Sequence, residues 1–373
     1  MPLMKLRFLR TFYWLLSLLR ERLGYAAALA ARACFWKWQF NQAIGTLASG
    51  HAVQYHGRQS QRERAMLLLN LSHHTLSTAE TITISELPFK DAICLPIVLS
   101  TVIPLKNHRT FDTLLSQFNA SRVRYFVKNR HAYTLKQVST NVDVDFAYTH
   151  LFKPYAASRH GDGVSHLSRH EVAKMAQITG ALHFLYQDEI LVGCQIGKPM
   201  TLNGKRYWRC IRAGYPESIF SDSQRFGEVH NSNVMSSIEW AFIQGFDFFD
   251  IAITLARPFD GVLQWKRSYR GLLCLIGNYS YFHLSLPTHN RPSFFWHTPL
   301  VSTENGLLHL QLGLPQGITN ESATAYLAMM GFGGLAQVTV YCDDTPPHNI
   351  SAYLTKLYRH YDAPPNICYI KAH

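Results

Sequence analysis

The chain has 373 residues, 47% of them hydrophobic and 16% charged, a balance that excludes disorder throughout. Its apolar runs all fall short of the roughly 18 residues that a conventional membrane-spanning helix requires. Thirty-six Lys and Arg against 24 Asp and Glu leave a formal charge of +12, which favours anionic partners: nucleotide carriers, tRNA, phospholipid headgroups or acidic metabolites. The seven cysteines are scattered without a C-x-x-C pair, which argues against a disulfide framework or zinc ribbon and for a reducing compartment.

The first 45 residues carry Lys5, Arg7, Arg10, Arg20, Arg22, Arg32 and Lys37 against Glu21 alone. Arg20-Glu21-Arg22 follows the uncharged run Thr11 to Leu19 where a signal peptide would need a small-residue cleavage site. The segment reads as a basic helix lying on an anionic membrane surface through residues 1–40, or as a helix docked on the protein with its basic face wet. Gly45 to Gly57 reads as a break. Residues 64–77 have a helical pattern, Thr81–Ile84 and the apolar stretch Ile93–Pro104 read as strands, and Phe111, Leu114, Leu115 and Phe118 have helical spacing. A basic segment with Arg122, Arg124, Lys128, Arg130 and Lys136 follows. It reads as an amphipathic helix with a solvated face, or as a phosphate-holding surface interleaved with Tyr125, Phe126 and Tyr133.

From residue 145 the pattern sharpens. Residues 145–157 and His170–Thr179 read as helices, the second ended by Gly180. His183–Tyr186 and Ile190–Ile196 read as strands across an acidic turn. Asn203-Gly204 is a hairpin turn leading into a strand at Arg206–Ala213. Residues 231–244 read as a helix ended by Gly245, and Phe248–Ile253 as a buried strand. Beyond a Pro-rich connection come strands at 307–312, 338–342 and 367–370 and helices at 321–330 and 350–361, a small α/β lobe.

The middle of the chain resembles the GNAT-like acyltransferase superfamily, and within it the Fem-type aminoacyl transferases. The resemblance is carried by Arg122-Val-Arg-Tyr-Phe-Val-Lys128, by Phe152-Lys-Pro-Tyr155 with Arg159-His-Gly161, and by the hairpin Leu182 to Gly193. Gly245-Phe-Asp-Phe-Phe-Asp250 and Arg257-Pro-Phe-Asp-Gly261 with Gln264-Trp-Lys266 complete it. It covers roughly residues 110–275. Where acetyl-CoA-dependent relatives have a glycine-rich loop whose backbone N–H groups hold pyrophosphate, this chain has Ser223-Gln-Arg-Phe-Gly-Glu-Val-His230, with one glycine.

The resemblance implies an α/β (α+β) fold of tandem GNAT-like lobes, with mixed central sheets flanked by helices and a small C-terminal α/β extension. The expected divisions are a basic helical segment (1–45), a degenerate lobe (46–140), a catalytic lobe (141–285) and the extension (286–373). It implies N-acyl or aminoacyl transfer from acyl-CoA or aminoacyl-tRNA to an amine of a small metabolite or cell-envelope precursor, in the bacterial cytoplasm or peripherally at the inner membrane face, with no metal and no DNA. The alternative is a non-catalytic GNAT-like module binding an anionic ligand or a membrane partner.

Acyl transfer to an amine needs a neutral nitrogen, a positioned carbonyl and a stabilised oxyanion. Lys266 is expected to bind donor phosphate or the oxyanion. Arg159 is expected to clamp an anion, and His160, or Glu228, to take the amine proton. Asp260 is expected to orient Lys266 or accept a proton, with a plain Asp-Gly turn as the alternative. Tyr155, Tyr215, Trp265, Arg257 and His230 complete the substrate-binding set. Tyr215 is also expected as a proton donor to the leaving group, with a buried core tyrosine as the alternative, and His230, like Glu228, as a base, with a place near a helix cap just ahead of residue 231 as the alternative. His166 and His170 share an i,i+4 spacing without the order of a metal motif, and Cys194 reads as a core thiol.

Overall fold

The computed structural model describes residues 38–48, 50–71, 81–160, 167–278, 280–343 and 348–371. Most of the expected basic segment, residues 1–37, lies outside these, as do Gly161-Asp162-Gly163 and His166. The strands in chain order are β1 (Trp38–Thr46), β2 (Ala52–Arg58), β3 (Thr81–Ser85), β4 (Ile93–Pro96), β5 (Val98–Pro104) and β6 (Tyr133–Val138). Then come β7 (Leu182–Gln187), β8 (Ile190–Leu202), β9 (Lys205–Gly214), β10 (Phe248–Leu255) and β11 (Leu272–Cys274). The last are β12 (Tyr281–Ser285), β13 (Leu300–Glu304), β14 (Leu307–Leu314), β15 (Gln337–Cys342) and β16 (Asn366–Lys371).

The chain forms two compact units that interleave in sequence. One takes the described parts of Met1–Leu99, Thr254–Gln264 and Leu275–His373, and the other takes Ser100–Ile253 with Trp265–Cys274. In the second of these, β6 pairs with β7 across residue 140 in one sheet.

The first unit holds two mixed sheets, β1-β2-β3-β12-β4 and β13-β14-β15-β16. In the second of these, β14, β15 and β16 run parallel. The helices Asn320–Ala328 and His348–Tyr358 make the crossovers that parallel strands require. In the first, Arg58 and Glu86 are 1% and 2% exposed and form a buried ion pair. The Arg58 Nε donates to Glu86 Oε2 at 2.7 Å, and the Arg58 backbone N–H and the Tyr55 hydroxyl both donate to Oε1.

The second unit is built on a seven-stranded mixed sheet, β11-β5-β10-β9-β8-β7-β6. The turn between β8 and β9 is Asn203-Gly204 with φ of 50° and 72°, the two left-handed residues that a type I′ hairpin needs. A 21-residue helix, Ser223–Ile243, connects β9 to its parallel neighbour β10. Its Val234, Met235, Ile238 and Ala241 pack with Trp208, Phe249 and Ile251 of the sheet. The other face is covered by Asn141–Phe146, the π-helical turn Ala147–Phe152, and Arg169–Thr179, through Val144, Leu151, Phe152 and Val172 against Leu182, Phe184, Cys194 and Ile196. Mixed sheets flanked by helices are the architecture expected from the sequence.

Two elements differ from expectation for local reasons. The long helix starts eight residues before the expected 231, because Asp222 caps it by accepting the Arg225 N–H and Val229 is buried beneath it. Phe226 and Val229 are the only large apolar side chains in its first two turns, which also contain Gly227, and this hides the helical period. The basic segment splits into a helix, Ala120–Asn129, and the edge strand β6. Among the described residues no helix is long and apolar enough to cross a membrane.

Candidate functional site

In the second unit, a row of aromatic side chains forms where β9 ends and the Ser223–Ile243 helix begins. Tyr215 directly follows β9. Its ring lies close against Gly193, where a Cβ would come within 3.0 Å of two ring carbons, so the glycine lets the ring lie flat on β8. The Tyr215 ring meets Tyr155 edge-on at 5.0 Å between centroids, and Phe226 at 5.2 Å. Phe226 stacks on His230 at 5.2 Å, His230 lies 4.9 Å from Trp265, and Trp265 lies 5.2 Å from Tyr269. Phe226, His230 and the buried Val229 share the first turns of the helix. Trp265 belongs to the Gly261–Arg267 helix and Tyr269 to the turn that follows it, where the Tyr269 N–H donates to the Lys266 carbonyl at 3.0 Å.

A guanidinium sits at each end of the row. Arg159 is exposed and lies over Phe226 at 4.4 Å and over Tyr155 at 5.8 Å. Arg122 lies over Tyr269 at 5.3 Å and Trp265 at 5.8 Å, and its backbone carbonyl accepts from Asn231 Nδ2. Both cations rest on ring faces, which attract them, and leave N–H groups for an anion.

The polar centre of the row is a hydrogen-bonded pair. Tyr215 Oη lies 2.6 Å from His230 Nδ1 and accepts from Asn233 Nδ2 at 3.1 Å. An amide N–H₂ can only donate, so the tyrosine proton goes to Nδ1, which assigns the Nε2–H tautomer to the imidazole. The His230 side chain is partly exposed, and Nε2 has no hydrogen-bond partner among the described residues. Burial pushes the His230 pKa down to about 4, and the charges of Arg122 and Arg159 push the same way. At neutral pH His230 is therefore an uncharged imidazole presenting one N–H donor. Burial holds the Tyr215 hydroxyl well above its ordinary pKa, so it keeps its proton.

The expected site residues divide. The structure brings together Tyr155, Arg159, Tyr215, His230 and Trp265. Glu228 belongs to the same helix, not to a loop ahead of it. It lies two positions from His230, and such neighbours point to different sides. Its carboxylate accepts from Tyr125 at 3.2 Å and from Gln224 at 3.3 Å. Lys266 is 2% exposed, and its ammonium donates to the Ala252 carbonyl at 2.7 Å, so this donor is not presented on an open surface. Asp260 and Arg257 belong to the first unit. Asp260 Oδ1 accepts from the N–H groups of Val262 and Leu263 and from the Thr254 hydroxyl, each at 3.0 Å. That is a cap of the Gly261–Arg267 helix, the turn chemistry offered as the alternative. Arg257 donates to the Leu67 carbonyl at 3.2 Å. His160 ends the Lys153–His160 helix, and its side chain lies outside what is described. Glu171 closes a capping box with Ser168, and the Cys194 thiol is buried and pushed up by that burial.

Sequence reasoning passed over Arg122 as a site residue, together with Phe226, Asn233 and Tyr269. Tyr269 had a signal, its i,i+4 spacing from Trp265. Asn233 had none, since a polar residue inside a helix gives no hint that it will be 1% exposed and hold a tyrosine.

The residues do not form a diphosphate cradle of the acetyl-CoA kind at the helix start. Ser223 to His230 are helical, and a carboxylate of the chain itself, Asp222, already takes the Arg225 N–H at 3.0 Å. An anionic donor would be held by the two arginines instead.

No family model and no curated protein matches the sequence. Solved structures with likeness to it include L-PGS from Bacillus licheniformis, 12% identical over 67% of this chain and 86% of that one, with a TM-score of 0.36. A GCN5-related N-acetyltransferase from Sphaerobacter thermophilus is 10% identical over 66% and 74%, with a TM-score of 0.29. The N-myristoyltransferase of Saccharomyces cerevisiae with bound myristoyl-CoA is 12% identical over 64% and 60%, with a TM-score of 0.30. By their names the second is an N-acetyltransferase and the third an N-myristoyltransferase. At such scores they transfer no residue role to this chain.

Proposed function

We propose that the second unit is an N-acyltransferase, moving an acyl or aminoacyl group from an activated donor on an anionic carrier to an amine. The observation that carries this reading is the neutral His230, oriented by Tyr215 and presenting Nε2–H between Arg122 and Arg159. In the reaction the amine nitrogen attacks the donor carbonyl carbon and a C–N bond forms. The C–S bond of a thioester or the C–O bond of an aminoacyl ester breaks. The proton lost by nitrogen passes by way of water to the departing sulfur or oxygen, so neither oxidant nor reductant is involved. The Nε2–H is suited to hold the oxyanion of the tetrahedral intermediate, because an uncharged donor fixed in place needs no reorganisation as the charge develops. The arginines neutralise the carrier, and the aromatic row gives an apolar wall to the transferred group.

Acyl-CoA and aminoacyl-tRNA both fit this chemistry, and a donor and acceptor screen separates them. The purified protein is incubated with each donor class and a panel of amino sugars and amino acids, with thermal shift and mass spectrometry as readouts. A new amide made from one donor class, with saturable stabilisation by that donor, is the expected result. Saturable stabilisation without any amide supports a binding module instead.

A further inference from the structure

We propose that Lys266 is a positioning residue: its ammonium holds a left-handed kink at Ala252 in β10 and thereby sets Trp265 over His230. Ala252 has φ of 65°, a conformation that a side chain disfavours and that persists only where the surroundings impose it. The recorded β9–β10 pairs are Phe248 with Tyr207, Phe249 with Trp208 and Asp250 with Arg209. The kink follows two residues beyond the last of these. One left-handed residue within a strand turns the chain out of its extended path.

The Lys266 Nζ donates to the Ala252 carbonyl at 2.7 Å while the side chain is 2% exposed. This contact joins the last turn of the Gly261–Arg267 helix to the kinked strand. The residue preceding Lys266 is Trp265, whose ring lies 4.9 Å from His230. Trp265 is one of the walls that keep water from the imidazole, so the position of that helical turn sets how far His230 is desolvated. A lysine is suited to the task. Its long apolar stem crosses the interior, and a charged donor makes a stronger bond to the carbonyl than a neutral one. The consequence for transfer rests on the role proposed above for His230, whereas the positioning itself is measured without turnover.

The test follows the His230 pKa by NMR, and the Trp265 environment by ¹⁹F NMR of fluorotryptophan-labelled protein assigned with W265F. Lys266→Met should fold, since the stem is nearly preserved. It should raise the His230 pKa from about 4 toward the free-imidazole value and shift the Trp265 resonance. Lys266→Gln, which keeps a neutral donor of shorter reach, should move both part of the way. Ala252→Gly relaxes the backbone while keeping Lys266, and should leave both readouts at wild-type values. The proposal is overturned if folded Lys266→Met retains the wild-type His230 pKa and Trp265 resonance. It is equally overturned if Ala252→Gly alone moves the His230 pKa. Should Lys266→Met and Lys266→Gln both fail to fold, the Ala252→Gly result decides. If both readouts keep the new values while no amide-forming donor is found, the positioning stands and the acyl-transfer reading falls.

Discussion

Tyr215 and His230 show how one buried hydroxyl fixes a tautomer. Tyr215→Phe removes the donor to Nδ1 and leaves the Asn233 amide without that acceptor, a loss of about 1–3 kcal/mol for an unsatisfied buried polar group. It should lower the urea midpoint, and lower kcat with little change in KM, because the imidazole loses its orientation rather than the donor its binding site. His230 also links stability to pH, together with His183. His183 is 1% exposed, 4.4 Å from Trp240 and 5.5 Å from Trp208, and its pKa is pushed by burial down to about 4. Both imidazoles are neutral when folded and take a proton near pH 6.5 when unfolded. Their contribution is therefore full above pH 6.5 and is lost as pH falls from there toward 4. Urea melts at pH 7.5 and pH 5 should show the loss, and His183→Phe should show a smaller one. An equal pH dependence in that variant would mean that folding does not lower the His183 pKa.

At the scale of elements, caps and buried pairs do most of the local specification. Asp260 joins two backbone N–H groups and a hydroxyl, so Asp260→Ala should cost about 1–2 kcal/mol. Asp260→Ser, another capping residue, should recover most of it. Transfer per folded molecule should be unchanged in both, and a large loss in both would return Asp260 to the chemistry. In the first unit, Glu86→Gln leaves Arg58 buried beside a neutral partner and should cost about 3–5 kcal/mol, read as a fall in the denaturation midpoint. Elements with strong periodicity or turn chemistry were legible in sequence, including the Asn203-Gly204 hairpin, the Gly180 stop of Arg169–Thr179 and the strands β14 to β16. Those whose signal is tertiary were not. Strands β1 and β2 cross a stretch with Gly45, Gly50 and Gly57 that reads as a break. The start of the Ser223–Ile243 helix is set by its cap and by burial of Val229, which polar spacing does not reveal.

At the scale of the molecule, two compact units share an interleaved chain, and the proposed chemistry lies in one of them. The site was half legible. Sequence reasoning had Tyr155, Arg159, Tyr215, His230 and Trp265 among its candidates, and the fold gathers these five. Glu228, Asp260 and Lys266 looked like chemistry because carboxylates and lysines near glycine turns suit both catalysis and structure. Only their partners in space separate the two. The net charge of +12 adds a long-range field toward an anionic donor. Raising ionic strength from about 0.05 M to 0.5 M should raise the donor KM more than it changes kcat, since screening weakens the field and leaves the buried tautomer alone. A kcat that falls with salt at constant KM would place the salt effect in the chemical step.

The most direct measurement is amide formation by wild-type protein and by His230→Gln and His230→Ala, each checked for native fold, with the donor and acceptor found by screening. The expected order is wild-type fastest, His230→Gln reduced and His230→Ala reduced by about 100-fold or more, with donor affinity unchanged across the three. Equal rates in wild-type and folded His230→Ala would contradict the assignment of the oxyanion to this imidazole.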